Sequence, residues 1–67
     1  MLSELRSKHH RKQEEVAEHL GIERSYYGRL ERGKRPFSVP MLHQALVFLD
    51  ANEQERLTAF SFYGKAA

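Results

Sequence analysis

Two helix-periodic segments separated by little more than a glycine constrain this chain more than any other feature of it. Val16, Ala17 and Leu20 share one face of a helix that Gly21 ends, and a third helix, Arg24 to Glu31, starts almost at once and is closed by Gly33. Glycine takes the positive φ that reverses a chain without the steric penalty of a β-carbon, so Gly21 predicts a sharp turn. Ala17 is small enough to let the next helix approach closely, Ile22 plugs the turn, and Val16, Leu20, Tyr27 and Leu30 fill the space between. The expected unit is two helices packed across a tight turn.

The rest of the chain carries the same kind of helical signals. Leu2 and Leu5 share a face of a first helix behind a candidate Ser3 cap. Leu42, Ala45, Leu46 and Leu49 stand at i, i+3, i+4 and i+7, with Ser38 and Pro40 marking the start of that helix. Asn52 followed by Glu55 is a capping-box pattern, which opens a last helix carrying Leu57 and Phe60 on its buried face and ending near Gly64 in a left-handed closure. Lys34-Arg35-Pro36 reads as a loop. The expectation is an all-α, compact bundle of about five short helices, one domain over residues 1–67, with no strand.

Composition narrows the class. A 67-residue chain buries only about 60% of the surface it exposes when unfolded, and without cysteine neither a disulfide nor a thiolate metal cage supports the core. Helix packing or self-association has to supply the difference. The longest uncharged stretch, Pro36 to Leu49, is too short and too interrupted by proline to span a bilayer, and no apolar h-region follows Met1, so the expected compartment is cytoplasmic. The net charge of +2 conceals segregation: residues 6–12 and 24–35 carry +4 each, whereas 13–23 carry −4. A basic segment on a helix after a tight turn directs attention to nucleic acid.

The combined spacing Gln13-x2-Val16-Ala17-x2-Leu20-Gly21-Ile22-x4-Tyr27-x2-Leu30, continued by Glu31-Arg32-Gly33-Lys34-Arg35, resembles the Xre or lambda-repressor-like family of helix-turn-helix transcriptional regulators from Leu5 to about Leu49. The resemblance implies that the third helix enters the DNA major groove, with Arg24, Ser25, Gly28 and Arg29 toward base edges. Arginine suits that task because its fork pairs with guanine O6 and N7. By the same resemblance Gln13 touches a phosphate, Tyr26 reaches a phosphate or a thymine methyl, Lys34 and Arg35 approach the backbone, and Arg6 and Glu31 form a structural ion pair. Three positions depart from the pattern. Lys12 stands where Ser or Thr would cap the second helix, so that start is expected to fray or be satisfied by water. His9, His10 and Arg11 replace an apolar residue, a turn glycine and an apolar residue, so the junction between the first two helices is expected to be irregular. Gly28 weakens its helix by about 1 kcal/mol relative to alanine.

The expected function is sequence-specific binding of double-stranded DNA as a small transcriptional regulator, of repressor or controller type, acting as a homodimer on two half-sites. Phe60, Phe62 and Tyr63 are candidate dimer contacts, the other reading being that they fold back over the first helix. An antitoxin or protein-interaction module of the same fold, with DNA binding as autoregulation, is the alternative, and a docking domain of a larger protein is another. Neither a cofactor nor enzyme activity is expected. His9, His10, His19 and His43 lack the spacing of a zinc site, and no nucleophile-base pattern or glycine-rich phosphate loop is present.

Overall fold

The computed structural model describes residues 1–64, so residues 65–67 of the expected 1–67 unit lie outside the described residues. It has five helices and no strand among them: α1 (Leu2–Lys8), α2 (Gln13–Leu20), α3 (Arg24–Glu31), α4 (Val39–Phe48) and α5 (Glu53–Tyr63). They form a small helical bundle of 24 × 24 × 17 Å, in which α2 packs on both α3 and α4. None of the described helices is long and apolar enough to cross a membrane.

One closing device recurs at four helix ends. After α2, Gly21 (φ 73°) donates to the Glu18 carbonyl and Ile22 to that of Ala17; after α3, Gly33 (φ 79°) donates to Leu30 and Lys34 to Arg29. These paired bonds, with a left-handed residue between helix and loop, form the Schellman motif. The helix ends where glycine was absent use it too. His10 (φ 56°) donates to Ser7 with Arg11 donating to Arg6, and Asp50 (φ 54°) donates to Val47 with Ala51 donating to Leu46. Histidine and aspartate are among the non-glycine residues that enter the left-handed region most readily, so the irregular junction after α1 is an ordinary helix closure made by a less suitable residue.

Helix starts follow the sequence more variably. Ser38 Oγ accepts from the Met41 amide at 3.2 Å, and Asn52 and Glu55 exchange both capping-box bonds, at 2.8 and 2.9 Å. Ser3 is not a cap: α1 begins at Leu2, which puts Ser3 inside the helix. The start of α2 is held from the backbone instead. Lys12 has only donors to offer and caps nothing with its side chain, but its backbone amide donates to Glu15 Oε1 at 2.8 Å, the returning half of a capping box. That bond pulls the Glu15 carboxyl below the ordinary range, with a smaller contribution from Arg11.

The core is one cluster centred on Leu2, Val16, Tyr27, Leu30, Leu46 and Leu49. Two features differ from the sequence expectation. Leu57 is not on the buried face of α5 but 60% exposed; Ala59 and Tyr63 are buried instead, and Phe60 is half-buried. Phe37, in the loop after α3, is buried because its ring meets Tyr63 edge-on at 5.1 Å and Tyr27 at 6.5 Å, a geometry favoured by the aromatic quadrupole. Gly64 is right-handed (φ −66°), so α5 ends without the left-handed closure expected of it.

His10→Gly removes the β-carbon from a left-handed position and is expected to raise unfolding stability by about 0.5–1 kcal/mol. Denaturant titration checks it; an unchanged or lower midpoint refutes strain at this junction.

Candidate nucleic-acid interface

Glu31, the last residue of α3, anchors the site. Its carboxylate receives two parallel bonds from Arg6 on α1, Nε to Oε2 at 2.8 Å and Nη2 to Oε1 at 2.9 Å, and a longer one from Gln13 Nε2 at 3.4 Å. Arg6 Nη1 also donates to the Arg11 carbonyl at 3.1 Å. On the backbone side, the Tyr63 hydroxyl donates to the Glu31 carbonyl at 2.8 Å and accepts from the Leu2 amide at 3.3 Å. Tyr63 is only 4% exposed. It is therefore corrected from dimer contact to core tie: it joins α5 to α1 and α3, as folding back over the first helix would require.

The charges follow from this geometry. Burial pushes the Glu31 carboxyl up, but the bonds and charge of Arg6 outweigh it and the net position is below the ordinary carboxylate range. The bond to Glu31 holds the Arg6 guanidinium above its own usual value. Burial, reinforced by the Glu31 charge, raises the Tyr27 phenol, and burial likewise raises Tyr63.

Held by these ties, α3 turns Tyr27, Leu30 and Glu31 inward and leaves Arg24, Ser25 and Arg29 exposed. The Arg29 guanidinium stands 5.8 Å from the Tyr26 ring centroid one turn earlier, a cation–π contact that restrains both side chains on the outer face. Ser25 Oγ donates to Glu23 Oε1 at 3.2 Å. Arg24 shares an open cleft with Lys12 and Gln13 at the start of α2. Lys34 and Arg35 lie exposed in the loop that follows the Gly33 closure. Gly28 lies apart from these side chains. It is buried, with Gln13 and Arg32 lying across it.

The structure divides the basic block of residues 6–12. Arg6 is committed to Glu31, Lys8 Nζ pairs with Glu55 at 3.0 Å, and Arg11 Nη1 reaches Glu15 at 3.4 Å. Lys12 has no ion-pair partner among the described residues and faces the cleft beside Arg24. Sequence reasoning missed Arg32, although its place four residues after Gly28 is the signal that the two share a helix face. It also missed Phe48, which stacks on His19 at 4.4 Å and lies under Arg11 at 4.9 Å.

Because the Glu31 carboxyl titrates lower when folded than when unfolded, its contribution to stability is full above the unfolded value, about 4.3, and is lost as pH falls through the folded one. Glu15 and Glu55 act in the same direction. Arg6→Ala is expected to reduce stability by about 2–3 kcal/mol at pH 7, less than for a fully buried pair because Arg6 lies at the edge of the core. The deficit is expected to shrink at pH 3.5, because the variant, without Arg6 to hold the buried carboxylate ionised, takes up a proton on Glu31 more readily than the parent does. Denaturant unfolding of both proteins at the two pH values checks this; a deficit independent of pH refutes it.

A family model described as a helix-turn-helix domain matches residues 1–59. No curated protein and no solved structure matches the chain.

Proposed function

We propose, from the premise that the chain belongs to the helix-turn-helix domain family, that it is a sequence-specific double-stranded DNA-binding regulator of the Xre or lambda-repressor-like type. Membership of the family points to DNA binding by itself; the finer reading rests on one observation. On α3, Arg24, Ser25 and Arg29 share the solvent side of a helix whose other side is tied into the core through Tyr27, Leu30 and Glu31. A helix so presented enters a major groove with its first turns toward the bases.

In this reading Arg24, Ser25 and Arg29 read base edges, Arg29 already held by Tyr26. Gln13, Tyr26, Lys34 and Arg35 contact the backbone and set the register. Occupancy of an operator is the mechanism. Arg29→Ala is expected to weaken binding to a selected site by about tenfold or more, and to random duplex far less, whereas Lys34→Ala weakens both alike and lowers the salt dependence by about one phosphate. Selection from random duplex DNA followed by titration of both variants tests this. Equal losses on both duplexes for Arg29→Ala remove its base-reading role, and failure to enrich any sequence shifts the reading to a protein-interaction module of the same fold.

A second copy of the chain is the partner this reading needs, since half-sites about one helical turn apart match two-fold symmetry. Support comes from α5. Leu57 and Phe62, 60% and 55% exposed, lie on its outer side with Thr58 and Ser61, where a small domain gains burial by pairing. Sedimentation at tens of micromolar is expected to give a dimer for the parent and a shift toward monomer for Phe62→Ala; monomer in both rejects the α5 interface.

A further inference from the structure

Glycine weakens the middle of a helix, and at position 28 no positive φ requires it. Its surroundings favour it. A β-carbon built on Gly28 would lie 3.2 Å from Arg32 Nη1, 3.7 Å from Gln13 Oε1 and 3.8 Å from Gln13 Nε2. The ends of two long side chains thus lie over bare backbone, Arg32 arriving from the cap just past α3 and Gln13 from the first turn of α2. Helical side chains lean toward their own N-terminus, so Arg32 falls naturally onto the residue four before it. A β-carbon at position 28 would push the end of Arg32 aside by a few tenths of an ångström.

What the arrangement presents is a cation. The nearest acid in sequence, Glu31, is committed to Arg6 and Gln13, and among the described residues Arg32 has no ion-pair partner. A guanidinium offers donors and no acceptor, so the ligand that completes it is an anion. Its position beside Gln13 selects which one. We propose that Arg32 is a further contact to the DNA phosphate backbone, adjacent to that of Gln13, and that Gly28 is a positioning residue which keeps Arg32 against α3. The inference rests on the DNA-binding reading above. It also reassigns Gly28 from the base-reading set to a supporting one, and the contact it supports carries no sequence information of its own.

The test is fluorescence anisotropy of the full chain with a selected duplex and a random one, each between 50 and 200 mM salt, for the parent, Arg32→Ala, Gly28→Ala and the double variant. Arg32→Ala is expected to weaken both duplexes by about tenfold at the lowest salt and to reduce the salt slope by about 0.9. Gly28→Ala is expected to weaken binding by about two- to threefold in the parent and not at all in the Arg32→Ala background, with a melting temperature equal to or above the parent's. If Arg32→Ala leaves the slope unchanged while Lys34→Ala lowers it, Arg32 is not a phosphate contact and the DNA-binding reading survives. An equal Gly28→Ala loss in both backgrounds overturns the positioning role. A parent that binds neither duplex overturns the inference together with the reading beneath it.

Discussion

The two-pronged contact between Arg6 and Glu31 is the interaction on which this bundle depends. Helices of seven to eleven residues have little stability of their own, so their placement has to come from tertiary contacts. Glu31 concentrates several of those contacts in one residue. Its side chain joins α1 to α3 and touches Gln13 on α2, while its carbonyl receives the Tyr63 hydroxyl from α5. A carboxylate at the C-terminal end of a helix opposes the helix dipole, and the half-buried arginine offsets that opposition. The outward face of α3 is therefore set by an ion pair on its inward face.

Several residues on the outer side are poor choices for stability alone. Lys12 forgoes a side-chain cap where Ser or Asn would accept from the helix amides, and the Glu15 carboxylate recovers only part of that. Gly28 weakens a helix of eight residues. Local rules of this kind are broken most often where a protein meets its ligand. Both exceptions border the start of α2, where Lys12, Gln13, Glu14 and Arg24 line one cleft and Gln13 meets Arg32 over Gly28. On α5, exposed Leu57 and Phe62 are a similar departure, and a second copy of the chain is the occupant proposed for them.

Most of the fold was legible because its signals are local. Gly21 and Gly33 in left-handed turns, Ser38 and the Asn52–Glu55 capping box all act within a few residues of chain, where periodicity and backbone sterics decide. The resemblance carried Arg6 and Glu31 together across 25 positions, and the structure places them in bidentate contact. The errors lie where local signals are weak or degenerate. Nothing in their residue types demanded that His10 and Asp50 close helices. On α5 apolar and aromatic residues occur on more than one side, so periodicity did not decide between Leu57 and Tyr63 for the buried face. Phe37 lies outside any helix and so belongs to no periodic pattern.

The sequence by itself thus determined the helix count, the tight turn between α2 and α3, and the assignment of Tyr27 and Leu30 to the interior, because each depends on spacing along the chain. Only the tertiary structure decided which cations are free. Lys8 and Arg11, within four residues of Lys12, are drawn to Glu55 and Glu15, while Lys12, just before α2, and Arg24, at the start of α3, line one cleft. It alone showed that Gly28 is buried beneath Gln13 and Arg32, and that Tyr63 ties the core while Phe62 beside it does not. The reason is physical: ion pairing and burial depend on which helices lie within a few ångströms of each other, and charge listed along a chain carries no such distance.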